Sequence, residues 1–384
     1  MKNDSSIGAE SKSLKNLPEK TQSVQYDLFA TFYGEGNKLS NTIELWDSIP
    51  KFSCSRQKQQ ALRDANGRLP TWEREFTYSP NGSGEGVAAR MTLTPARVMW
   101  KGKEMDFLPS GDEELIEDIL RKIFADQQYG RHYAAESSSY VDFTLYMIYR
   151  ELKVWGHTRS LDEIKRSLEI MGKSHLQIHF VGGGKKAAFK GAIIPEMMEV
   201  GRAEYMADPK ARWRARLPSI YSSAINSLEF RQFNYTTLMS MSSQLAKWLQ
   251  KRLVQRYTNA ALTSPYTIRY STIKRDSGML THSRESRNKE TVITCLNDLE
   301  AQDVVMFYKV AEAKNDPRDP LYTLTPTSAF VAETKAANKR QGDAHRQCPG
   351  ISNQPSVIMK TVAGSLGKDW NKRRNDTHRN PQKR

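Results

Sequence analysis

The sequence predicts an α+β protein of two tandem winged-helix domains with disordered N- and C-terminal segments. Three observations predict it. Between Pro265 and Pro326 the chain reads helix, turn, helix, strand, turn, strand. The same order, three helices and a hairpin, occurs between residues 113 and 194 without obvious sequence identity. The 58 Lys and Arg outnumber the 43 Asp and Glu, a net +15, which favours polyanionic partners.

Taken in order, residues 1–24 are polar and rich in Lys and Ser, so they cannot bury enough apolar surface to fold. They lead into Gln25-Tyr26-Asp27-Leu28-Phe29, two large apolar side chains at the end of a polar arm. This is either a docking peptide or the first residues packed on the core. Thr42–Phe52, with Trp46, mixes apolar and polar residues and is expected to pack on the following domain. Residues 55–85 are polar, with turn signals at Asn66-Gly67 and 81–84. Strands follow over Ala88–Leu93, Val98–Trp100 and Met105–Leu108.

Glu113–Gln128 is a helix, because Leu115, Ile116, Ile119, Leu120, Ile123 and Phe124 form one stripe. After a loop over 130–140, Asp142–Trp155 is a second helix, ended by Gly156. Ser160 and Glu163 make a capping box for a third, stopped at Gly172. Leu176–Val181 and Ala187–Ile194 flank a Gly/Lys turn as a wing.

The second unit begins after Asp208-Pro209. Ser219–Ile225 and Phe230–Tyr235 read as strands and Thr236–Tyr257 as one long helix. A short helix over Ile268–Asp276 breaks at Ser277-Gly278. Arg284–Ala301 is the helix after the turn. Its Val292, Cys295, Leu296 and Leu299 share an apolar face, and Arg287 lies opposite. Arg284, Arg287 and Lys289 crowd its N-terminal turns, the wrong sign for the helix dipole unless an anion sits there. Val304–Val310 is a strand, Asn315–Asp319 a turn and Leu321–Leu324 the returning strand. Helix-turn-helix plus a wing is a pattern for reading a DNA major groove. Past Ala337 apolar residues thin out, and Asp369–Arg384 is basic. The expected organisation is a flexible arm over 1–40, a first domain over 86–195, a second over 210–330 and a disordered basic tail over 337–384.

Catalytic chemistry is not indicated. The triple glycine at 182–184 lacks the spacing of a phosphate-binding loop. His175 and His179 have no third ligand nearby, and the three cysteines form no CxxC pair. The expectation is a binding protein, not an enzyme, with no cofactor and no metal. No run of 18 apolar residues exists and the N-terminus carries no apolar signal core, so a cytoplasmic location without membrane contact is expected.

The chain resembles the plasmid replication initiators, the Rep proteins of the TrfA type, over about residues 25–327. Asp112-Glu113-Glu114-Leu115, Phe143-Thr144-Leu145-Tyr146, Leu152 and Trp155-Gly156 carry the likeness in the first domain. In the second, a basic helix over Arg284–Leu299 precedes the strand Val304–Val310. Residues 25–29 are similar to the QL[SD]LF peptide that docks on the polymerase sliding clamp, with Tyr26 where Leu is usual. The resemblance implies an initiator that binds repeated origin sequences as duplex DNA. It also implies docking on the host clamp through Gln25, Asp27, Leu28 and Phe29, with the host initiator and replicative helicase as further partners. Monomers that bind DNA and inactive dimers are implied too. The rival classes are a winged-helix transcriptional regulator and a partition protein.

Ser283, Ser286, Arg287, Thr291 and, in the first domain, Arg166 are the expected base readers. Arg269, Lys274, Arg275, Arg284, Lys289, Arg159, Lys185 and Lys186 are the expected phosphate contacts.

Overall fold

The computed structural model describes residues 38–79, 86–126, 128–180, 187–208, 211–313 and 316–347. The peptide at 25–29, Lys185, Lys186 and the segment 348–384 lie outside them.

The chain is mixed α+β, with two winged-helix units packed side by side. The first unit opens with β1 (Leu39–Thr42), α1 (Glu44–Ser48), α2 (Arg56–Leu62), β2 (Trp72–Tyr78) and β3 (Val87–Thr94). The hairpin β4 (Ala96–Trp100) and β5 (Lys103–Phe107) leads into α3 (Gly111–Phe124). Then come β6 (Gly130–Tyr133), β7 (Ser138–Phe143), α4 (Leu145–Val154), α5 (Leu161–Lys173), β8 (His175–Phe180) and β9 (Ala187–Ala192). β10 (Glu196–Met198), α6 (Arg202–Ala207), β11 (Trp213–Arg216), α7 (Ser219–Asn226), β12 (Arg231–Asn234) and α8 (Tyr235–Ser240) complete it. The second unit contains α9 (Gln244–Arg256), β13 (Tyr266–Arg269), α10 (Tyr270–Ser277), α11 (Glu285–Ala301), β14 (Val305–Ala313) and β15 (Asp316–Pro326). α12 (Ser328–Gln347) follows.

Two main apolar cores divide the chain. The first gathers side chains from Ile43 to Met239, with Ala344 added, and the second runs from Met241 to Val331. The expected domain limits of 86–195 and 210–330 are therefore too narrow for the first unit and begin the second too early. Residues 43–78 supply Trp46, Phe52, Trp72 and Phe76 to the first core, and 213–239 close it. The polar run expected as turns over 55–85 holds α2 and β2. β2 extends the first wing into a sheet ordered β2-β3-β8-β9.

Local signals set several ends as expected. At α5 the Ser160 hydroxyl accepts from the Glu163 amide at 3.2 Å, and the Glu163 carboxylate accepts from the Ser160 amide at 2.8 Å. Elsewhere a distant partner or a competing side chain overrides the local pattern. α3 stops at Phe124, short of Gln128, because Asp126 accepts from the Gln128 amide and so offers the backbone a turn. The second helix begins at Leu145, not Asp142. Asp142 and Phe143 pair instead with Arg214 and Trp213 of β11, and Thr144 caps the helix. The loop expected over 130–140 is the hairpin β6–β7.

Ser219–Ile225, expected as a strand, is helix α7. Ile220, Tyr221, Ala224 and Ile225 are buried at helical spacing, and Pro218 occupies the N-cap. The long helix over 236–257 is two helices. Between them Asp298 accepts from the Ser243 amide at 2.7 Å, and the Ser243 hydroxyl caps α9. Ile268 lies in β13, opposite Tyr322, so the short helix starts at Tyr270.

The tail expected to be disordered from 337 is helical to Gln347. Arg231 of β12 donates to Asn338 and Gln341 of α12 at 2.5 and 2.9 Å, which holds Ala344 in the first core.

The two units meet through α9. Lys251 Nζ lies 2.7 Å from Asp118 Oδ1 and 3.5 Å from Glu114 Oε1 on α3. Gln244 donates to the Phe52 carbonyl and to Glu114, and Asp276 accepts from the Thr77 amide and from Arg252.

Gly278 sits on this seam with φ 63°, ending α10. A Cβ there would lie 3.1 Å from Ser53 Cβ and 3.2 Å from Pro50 Cβ. Gly278→Ala is expected to lose about 1–2 kcal/mol from the left-handed backbone alone. The drop in urea midpoint measures it, and an unchanged midpoint would mean the turn re-forms another way.

Candidate nucleic-acid interface

The second unit presents one helix face that its own packing leaves outward. Val292, Cys295, Leu296 and Leu299 of α11 are buried, so each side chain contributes roughly 1.5–3 kcal/mol of burial and fixes the helix rotation. At about 100° per residue, Arg287 then falls 140–180° from Val292 and Leu296. Ser283, Arg284, Ser286 and Arg287 are all exposed. Among the described residues none of these four side chains has a hydrogen-bond or ion-pair partner.

The turn before α11 is fixed by Asn288, which is fully buried. Its Oδ1 accepts from the His282 amide and its Nδ2 donates to the His282 carbonyl, both at 3.0 Å. Glu285, in the first turn, takes the Lys274 ammonium and the Tyr270 hydroxyl, which hold its carboxyl down at about 2. Lys274 is thus tied to α11, though its side chain stays exposed. Lys289 lies 5.7 Å over the Tyr270 ring. Thr291 is half-buried and its hydroxyl donates to the Arg287 carbonyl at 2.9 Å.

The wing is longer than the sequence pattern indicates, and its position is set from α10. Asp319 of β15 accepts from the Ser271 amide at 2.7 Å and the Ser271 hydroxyl at 2.9 Å. Arg269 is half-exposed and lies 3.8 Å from the same carboxylate. Arg275 is half-exposed and donates to Asp276 at 2.8 Å. The wing adds Lys309 and Arg318, both exposed, which the sequence reading missed. Lys309 is the one charged residue in Val304–Val310, and that charge was the signal that could have placed it outward. On edge strand β14 the side chains of Met306, Phe307 and Val310 are also exposed.

The first unit differs. α5 occupies the place of α11, but hairpin β4–β5 lies along it, and Ile170 packs against Ala96, Val98 and Phe107. Arg166, expected as a base reader, stacks on the Trp100 ring at 3.9 Å and is partly buried there. Arg159, expected on phosphate, donates to Asp112 at 2.5 Å and joins the start of α5 to the start of α3. The face of α5 left to solvent carries Asp162 and Lys165, charges of both signs. The structure brings together the residues expected in the second unit and gives Arg159 and Arg166 internal partners. No helix among the described residues is long and apolar enough to cross a membrane.

No family model matches the sequence, and no curated protein does. Solved structures do align with the chain, each at 11% identity. A selenomethionine form of RctB domains 2 and 3 aligns with TM-score 0.42 at 11% identity, over 73% of this chain and 99% of that one. A second structure of RctB domains 2–3 aligns with TM-score 0.40 at 11% identity, over 73% and 98%. The Pi initiator protein in complex with iteron DNA aligns with TM-score 0.33 at 11% identity, over 77% of this chain and 100% of that one.

Proposed function

We propose that this protein initiates plasmid replication by binding repeated origin sequences as duplex DNA, without catalytic chemistry of its own. One observation carries the DNA reading. The first turns of α11 hold Arg284, Ser286 and Arg287 outward beside a wing that adds Lys309 and Arg318. A helix N-terminus with outward arginine fits a major groove, and a wing beside it fits the flanking backbone. Arg269 at the end of β13 and Lys274 and Arg275 on α10 would contact phosphate, with their carboxylate partners released or bridged. The sequence resemblance supports the finer reading of an initiator that docks on the host clamp through 25–29.

A marker plasmid that lacks a replicon, joined to this gene and its flanking DNA, tests the finer reading. Colonies are expected. A transcriptional regulator of the same fold would give none. A supercoiled substrate is expected to stay uncut, whereas nicking would make the protein an enzyme. Leu28→Ala with Phe29→Ala is expected to abolish capture of the host clamp and leave DNA binding intact. Unchanged capture in a pull-down would remove the docking peptide.

Binding should also weaken steeply with salt, with log K against log[salt] sloping more than about −4. Deleting 348–384, which leaves α12 whole, should make that slope shallower. An unchanged slope would take the tail off the DNA.

A further inference from the structure

Helix α11 of the second unit opens on outward arginine, but α5 of the first opens on Leu161, Asp162 and Glu163. The exposed Lys165 is offset by the exposed Asp162. Carboxylates at that end repel phosphate, so the first unit cannot meet a duplex as the second does.

The hairpin β4–β5 stands beside that end instead. Ile170, in the third turn of α5, packs on Ala96, Val98 and Phe107, where the hairpin is rooted. Arg166, one turn earlier, stacks on Trp100, next to the hairpin loop. The hairpin therefore runs along α5 with its tip toward the N-terminal half of the helix.

The tip is tight and it projects. Trp100 pairs with Lys103, so the loop is Lys101 and Gly102 alone. Both have positive φ, 51° and 76°, as the two-residue hairpin turn requires. Lysine at the first of these positions goes against backbone preference, which favours Asn, Asp or Gly there. A Cβ built on Gly102 would meet nothing within 4 Å beyond its own chain neighbours. Lys101 and Lys103 are exposed, and among the described residues neither has an ion-pair partner.

Three cations gather at one ring. The Arg166 guanidinium lies 3.9 Å and the Lys101 ammonium 6.0 Å from the centre of the Trp100 ring. Lys103 stands directly across the strand pair from Trp100, on the same face. Glu104 lies opposite Met99, on the other face. Arg166 has no hydrogen bond among the described residues, and its Nε is buried without an acceptor. The carboxylates that attract it are engaged, Glu113 by Arg56, Asp112 by Arg159 and Glu163 by the Ser160 cap. Stacking uses the face of the guanidinium and leaves its in-plane terminal donors for an anion.

We propose that the tip of β4–β5 is where the first unit touches the duplex. Lys101 and Lys103 pair with DNA phosphates, and Arg166, held by Trp100, takes a third phosphate beside them. α5 itself stays off the bases. This rests on the reading that α11 binds duplex DNA, and it adds where the first unit meets the same duplex.

The full chain is titrated by fluorescence anisotropy on cognate and scrambled duplexes over a range of salt. Lys101→Asn with Lys103→Gln removes both charges, and Asn keeps the turn because it tolerates positive φ. This variant is expected to make the slope of log K against log[salt] shallower by about 1.8, or 0.9 for each phosphate lost. Cognate and scrambled duplexes should weaken alike, since phosphate carries no sequence. Arg166→Gln is expected to take away a further 0.9 or so.

An unchanged slope in the folded lysine variant would overturn the proposal. A loss confined to the cognate duplex would overturn it too, because the tip would then be reading bases. Arg287→Ala, measured in parallel, separates this from the reading of α11. If Arg287→Ala weakens the cognate duplex and the lysine variant does not, only the tip is wrong. If the lysine variant weakens both duplexes and Arg287→Ala weakens neither, the tip stands and α11 leaves the groove. If Arg166→Gln does not fold, the two exposed lysines carry the test alone.

Discussion

Arg287→Ala is expected to weaken binding to the cognate repeat about 10- to 100-fold and to relax preference at one base pair. The residue is exposed near the N-terminus of α11, has no side-chain partner among the described residues, and is aimed away from the core. An arginine so placed can bond guanine at O6 and N7, worth roughly 1–3 kcal/mol of discrimination. Nonspecific binding should change much less, since one charge is lost. Folding should not change, because Val292, Cys295, Leu296 and Leu299 hold the helix without it. Cognate and scrambled duplexes titrated at one salt concentration separate the roles. Equal losses on both would make Arg287 a phosphate contact, and no loss on either would take α11 out of the groove.

The largest loss of stability is expected from Lys251→Met, about 3–5 kcal/mol. Around this side chain four carboxylates (Asp47, Glu114, Glu117 and Asp118) meet four cations (Lys51, Arg121, Lys247 and Lys251), with every side chain buried or nearly so. Burial alone would depress the Lys251 ammonium, but Asp118 and Glu114 outweigh it and hold the pKa above the usual range. Burial pushes the Glu114 carboxyl up, against the pull of Lys251.

Methionine keeps the stem and removes the charge, so Asp118 and Glu114 would be left buried without their shared cation. Because Lys251 belongs to the second unit and both carboxylates to the first, the loss falls on the seam between the units. Urea unfolding followed by the fluorescence of Trp46 and Trp248 reads it. Adding Asp118→Asn should recover part of the loss, since the two sites are coupled. A cost below about 1 kcal/mol would mean that water reaches the network and screens it.

The seam also shows why the domain limits were misplaced from sequence. Residues 42–52 were expected to pack on the following domain, but residues 55–79 read as polar because their apolar side chains are few and widely spaced. Yet Trp46, Phe52 and Trp72 enter the first core, where their partners come from elements as distant as α7. The misassigned helix at Asp142 has the same origin, a β11 partner about 70 residues away. Ser219–Ile225 has buried residues that fit either periodicity over a short run, and burial on one helical face decided it.

The sequence by itself determined the α+β class, the two units of three helices and a hairpin, the capping box at Ser160, the break at Gly278 and the outward placement of Arg287. Each follows from a period, a cap or a backbone preference acting within a few residues. Only the tertiary structure decided that Arg166 is stacked on Trp100, that Arg159 is tied to Asp112, and that residues 337–347 are helical. It alone set the tip of β4–β5 beside the N-terminal half of α5. These depend on partners from 47 to 110 residues away. Strand register and helix docking are fixed by burial summed over the whole core, which no local stretch of sequence records.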